Sequence, residues 1–144
     1  MESDNQHVND FKSFMEERLK ASTDFVEGKF EPLQKISVEK SPATIFPPNG
    51  ICIQGANEVN RFNEKGTAQF LPGAKNEFEV IHQDADEHLA YWTGIQRSTV
   101  KMKGHDEAVV FHLRITEIFR KENGTWKLLH RHADPLKDDQ PGSR

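Results

Sequence analysis

Three side chains near the C-terminal end of the sequence carry most of its chemical potential: Glu117, His130 and His132. In the run from 109 to 120, Val109, Phe111, Leu113, Ile115 and Phe119 share one parity, and Glu117 shares it with them. On a strand, equal parity means a common face. A carboxylate on an apolar wall is costly to ionise unless partnered, so Glu117 is expected to be hydrogen-bonded, ion-paired, or protonated with a raised pKa. That is the usual condition of a catalytic or ligand-orienting acid. In the run from Thr125 to Asp134, the same parity logic puts Trp126, Leu128, His130, His132 and Asp134 on one face. Two imidazoles so spaced stand about 7 Å apart at their Cα atoms. They can transfer protons, line a pocket for an anion or carbonyl, or ligate a metal. With Glu117 or Asp134 they would make a two-histidine, one-carboxylate iron site. His-x-His alone is a weak signal for that, so no metal and no cofactor are expected. Glu117, His130 and His132 are the candidate catalytic groups, and hydrogen-bonded structural roles are the alternative.

The run from 88 to 100 supplies the opposing wall. Leu89, Tyr91, Thr93, Ile95 and Arg97 form its more apolar parity and are therefore aimed at the pocket. Tyr91 would be a buried phenol needing a partner, and Arg97 a counter-charge to Glu117 or to a ligand's carboxylate. Plain packing for Tyr91 and a solvated strand end for Arg97 are the alternatives. Phe111, Leu113, Ile115, Trp126 and Asp134 complete the expected ligand-binding set, while Trp92 is expected on the outer face, against another subunit. Phosphate-cradling glycine loops, a nucleophile-elbow serine and zinc-spaced Cys and His clusters are missing. Cys52, between Ile51 and Ile53, reads as a buried small apolar residue.

The elements that must position these groups are legible from periodicity. From Val8, Phe11, Met15, Leu19 and Val26 recur at helical spacing, widened by Phe14 and Phe25, which predicts an amphipathic helix ending near Gly28. Glu31-Pro32-Leu33 reads as the first turn of a short helix. Ala43 to Phe46 reads as a strand stopped by Pro47-Pro48-Asn49-Gly50, and Val59 and Phe62 mark a third helix that Gly66 would end in a left-handed conformation. The period then shifts to 2 over runs of about 77–83, 88–100, 109–120 and 125–133, separated by turns that include Asn123-Gly124. Helices first and a strand meander last is an α+β pattern with the helices packed on one face of the sheet.

A chain of 144 residues suits one domain, expected over 7–135, with residues 1–6 and 136–144 as flexible tails. The net charge of −4 comes from interleaved signs, which argues against nucleic-acid or anionic-membrane partners. A lone cysteine, no basic-then-apolar start and no long apolar run point to a cytoplasmic protein.

The segment Leu113 to His132, with its Asn-Gly turn, the tryptophan two residues on and the His-x-His ending, resembles the closing hairpin of SnoaL-like proteins. These belong to the nuclear transport factor two superfamily, alongside ketosteroid isomerases. The resemblance extends from about Val8 to Asp134. It implies a cone-shaped α+β fold of the cystatin-like kind, a bent mixed or antiparallel sheet packed against an N-terminal helix and two shorter ones, enclosing a deep pocket. It also implies a homodimer joined through the outer sheet face. Residue by residue, Pro47 stands where the isomerases place a general-base aspartate, Ala21 falls near their oxyanion-holding tyrosine, and Glu117 falls at their second oxyanion donor. The expected function is binding of a small, mostly apolar organic molecule. An isomerase- or cyclase-like enzyme using Glu117 and His130 for proton transfer, and a dimeric interaction module with a vestigial pocket, are the alternatives.

Overall fold

The computed structural model describes residues 2–137. Helix α1 (Glu2–Phe25) is followed by the short α2 (Glu31–Lys35), strands β1 (Thr44–Phe46) and β2 (Ile53–Gln54), and α3 (Ala56–Thr67). Four long strands follow: β3 (Phe70–Ala85), β4 (Leu89–Met102), β5 (Val109–Glu122) and β6 (Thr125–Pro135). They form one six-stranded sheet of order β2-β1-β6-β5-β4-β3, antiparallel except where β1 runs parallel to β6. The expected α+β class, with helices on one face of a mixed sheet, is what the chain adopts. No helix among the described residues is long and apolar enough to cross a membrane.

The element boundaries differ from expectation where local signals mislead. Residues 2–6, expected as a tail, continue α1; of the other expected tail, residues 138–144 lie outside the described residues. The buried stripe of α1 is Phe11, Phe14, Met15, Arg18, Ala21 and Ser22, centred one turn-edge away from the expected Leu19 and carrying a charge. Gly66 does not break α3 with a left-handed φ, since the helix runs through it to Thr67. Strand β3 starts at Phe70 despite Pro72, which an edge strand tolerates because its missing N–H faces no neighbour. Cys52 is exposed, since it precedes the two-residue β2 on the sheet's other edge.

The inner sheet face meets α1 in two unlike halves. At one end Phe11 stacks among Phe119, Trp126 and Phe14 at ring separations of 5.2, 5.7 and 6.2 Å, and Phe78 stacks on Trp92 at 4.6 Å. At the other end α1, α3 and the sheet enclose a cavity of about 360 Å³. Between them lies a buried polar seam.

Candidate functional site

The seam is built from one residue of α1 and three strands that share a register. Glu117 on β5 pairs across the ladder with Trp92 on β4 and Arg131 on β6. Arg18 reaches the same point because it sits one turn beyond Phe14 and two beyond Phe11 on the buried face of α1. Arg18 donates from Nε and Nη2 to Oε1 and Oε2 of Glu117 at 2.9 and 2.7 Å, the bidentate geometry that suits guanidinium and carboxylate. Trp92 Nε1 donates to Oε1 at 2.8 Å, and Arg131 Nη1 donates to Oε2 at 2.7 Å. Each carboxylate oxygen thus accepts two bonds, which fills the acceptor positions of an ionised glutamate. Glu117 is wholly buried. Burial pushes its pKa up, but the charges and hydrogen bonds of Arg18 and Arg131 outweigh this and hold it at about 2.

Of the three states the sequence left open for Glu117, hydrogen bonding and ion pairing are both found, and its lowered pKa keeps it ionised. Arg131 is held in turn by Gln96, whose Oε1 accepts from Nη2 at 2.6 Å. The amide of Gln96 donates to Asn76 Oδ1 at 2.9 Å, and Asn76 donates to Ser22 Oγ at 3.0 Å. Burial lowers the Arg131 pKa, Glu117 opposes that, and the positive charge of Arg18 adds to the lowering.

Two expected faces are inverted, for identifiable reasons. On β6, Ile118 pairs with His130 and Phe119 with Leu128, so Leu129 is an extra residue. A bulge of one residue shifts the side-chain alternation beyond it. Trp126 and Leu128 therefore face inward, as do Arg131 and Ala133, while His130 and His132 point to the outer face. There Thr44 Oγ1 lies 2.6 Å from His130 Nδ1, and the Phe46 ring packs on both imidazoles at 4.8 and 5.5 Å. Burial and the neighbouring His132 keep His130 below its ordinary pKa, against a pull from Glu117.

On β4 the inward set is Ala90, Trp92, Gln96, Ser98 and Val100, all buried. It looked the more polar of the two faces, but its polar groups are met by the seam. Tyr91 and Arg97 thus lie outside: Tyr91 Oη is 3.0 Å from His82 Nδ1, and Arg97 pairs with Glu79. Asp134 is also outside, gripped by Arg114 at 2.6 and 2.8 Å. Trp92, expected outside, is fully buried in the core.

The remaining candidates face inward. Phe111 and Leu113 line the cavity, whereas Ile115 and Trp126 are buried in the core beside it. The rest of the lining is mainly apolar, with Phe25, Phe62, Phe70 and Met102 prominent, and its only charged members among the described residues are Arg18 and Arg131. Among the described residues, no His, Asp, Glu, Tyr, Cys or Lys lines it. Glu117 lies behind the two arginines. The proton-transfer pair of Glu117 and His130 is therefore not assembled, because the two groups occupy opposite faces of the sheet. Arg18 and Arg131 were missed from sequence. Arg18 had a readable signal, its i+7 and i+4 spacing from Phe11 and Phe14; Arg131 had only the adjacent Leu128-Leu129 pair, which marks the bulge faintly.

A SnoaL-like domain model matches residues 20–135. The chain belongs to the SnoaL-like family. No curated protein sequence matches this SnoaL-like domain, but solved structures share its fold. A proposed dehydratase of the nuclear transport factor 2-like family from Streptomyces avermitilis superposes with a TM-score of 0.71 at 20% identity, covering 90% of this chain and 96% of that one. A proposed scytalone dehydratase from Novosphingobium aromaticivorans gives 0.74 at 13% identity, covering 95% and 89%. A nuclear transport factor 2-like protein of unknown function from Pseudomonas putida gives 0.72 at 14%, covering 93% and 96%. At these identities the likeness concerns the SnoaL-like fold.

Proposed function

We propose that this SnoaL-like domain binds a small, mostly apolar organic molecule in the cavity between α1, α3 and the inner sheet face. The observation that carries this reading is the cavity itself: about 360 Å³, walled by apolar side chains, with a few polar groups fixed by the seam at one side. Pockets of this size and make-up draw affinity from apolar burial and orientation from the few polar atoms. The proton-transfer reading has less support. Glu117 has its acceptor positions filled and stays ionised, and among the described residues the lining offers no side chain that exchanges a proton near neutral pH. The dehydratase names of two structural neighbours belong to those proteins.

The proposal includes a homodimer through the outer sheet face, where Ile81, Leu89 and Val110 are exposed, two of them by 62% and 58% for Ile81 and Val110. It also takes the protein to work in the cytoplasm, since an exposed free thiol at Cys52 suits a reducing setting. Binding is tested with N-phenyl-1-naphthylamine, a neutral apolar fluorophore. Saturable one-to-one enhancement is expected, and Leu113→Trp, which adds bulk to the cavity wall, should abolish it while the protein stays folded by circular dichroism. Unchanged binding in that variant would place the dye elsewhere and remove the support for the cavity.

A further inference from the structure

The charges of the buried seam do not balance. Two guanidinium groups, which remain protonated in proteins, face a single carboxylate, so the cluster of Arg18, Arg131 and Glu117 carries one excess positive charge. Among the described residues, the ion pairs of Arg18 and Arg131 both run to Glu117, and the amides of Gln96 and Asn76 are neutral. Arg18 is 2% exposed, and its Nη1 is buried with no hydrogen-bond partner among the described residues. Arg131 spends two of its five N–H donors, on Glu117 and Gln96. Its side chain stays 17% accessible, and both arginines line the cavity.

A buried charge left uncompensated is costly, and a buried guanidinium with spare donors suits a planar anion. We infer that the cavity's ligand is an apolar molecule ending in one ionised acid group, a monocarboxylate, which meets Arg131 and Arg18 at the seam while its hydrocarbon body occupies the apolar remainder. This rests on the binding reading above. Balance is then reached at two positive and two negative charges, and the second negative charge comes from the guest. A cavity of about 360 Å³ accommodates roughly a dozen non-hydrogen atoms, at about 30 Å³ each, the share of a water molecule in the liquid. Decanoate has about that many.

The test is displacement of N-phenyl-1-naphthylamine from the wild-type protein by decanoate, by decanamide and by acetate. Decanoate should compete about 10- to 100-fold more tightly than decanamide, the value of one or two charge-assisted bonds. Acetate, an acid without a body, should not compete at those concentrations. Equal displacement by decanoate and decanamide would overturn the inference and leave the binding reading intact. Failure of the dye and of decanoate alike, the latter by calorimetry, would overturn both. Arg131→Met leaves Glu117 balanced by Arg18, so the variant should fold and should lose the preference for acid over amide. A folded Arg131→Met that keeps the preference contradicts the assignment. If that variant does not fold, Arg18→Met, which also leaves a one-to-one pair, is read in the same way.

Discussion

At the scale of single residues, Glu117 is the hub around which the seam is built, and its ionisation should be visible in stability. Because its pKa is about 2 in the folded chain against 4.5 for the free group, its contribution is complete above about pH 4.5. Below that the unfolded chain takes up a proton that the folded chain refuses, so stability should fall steadily as pH drops from about 4.5 toward 2. Thermal denaturation across this range should show that slope in the wild type and a shallower one in Glu117→Gln, where the remaining lowered carboxylates, Glu27 and Asp86, still contribute. At neutral pH the same variant should be destabilised by about 3–5 kcal/mol in urea unfolding, the cost of leaving buried charges without their partner. The need of Glu117 for partners was legible in sequence from its apolar neighbours. Who the partners are was legible only in part: Arg18 follows from helical spacing, whereas Arg131 depends on a backbone irregularity.

At the scale of elements, strand parity is what sequence reads well until a ladder departs from regularity. On β5 the inward face is the expected one, because Phe111, Leu113, Ile115 and Phe119 outvote everything opposite. The face of β4 was inverted because apolar content is a poor guide where the inner wall is itself polar. The pairing of Trp92 with Glu117 settles the matter, since directly opposed residues share a face. Apart from the two-residue β2, which no periodicity marks, the helix and strand order is the expected one, because periods of 3.6 and 2 average over local exceptions. The β3–β4 pair departs from regularity at two places, one of them between Val80 and His82. There β3 approaches so closely that a Cβ at Gly94 would lie 2.0 Å from the carbonyl oxygen of Glu79. Gly94→Ala should therefore force the strands apart and cost about 1–3 kcal/mol, the usual range for overpacking, read as a lowered denaturation midpoint. An alanine variant with wild-type stability would mean that β3 yields freely.

At the scale of the whole molecule, one sheet serves two purposes: its inner face encloses the cavity, and its outer face is proposed to meet a second copy. Charged replacements on that outer face, Ile81→Glu with Val110→Glu, should convert dimer to monomer in sedimentation while dye binding persists. A wild-type protein that sediments as a monomer at micromolar concentration would remove the dimer. His130, His132 and Asp134 belong to that outer side, whereas the cavity is faced by Arg18 and Arg131. The separation comes from Leu129. One extra amino acid in the last strand acts as a frameshift written in space: downstream of it, every position trades sides. Were the strand to absorb Leu129 into a regular ladder, the two imidazoles would face the interior in place of a permanent cation. The chamber would then lose its cation without a single substitution.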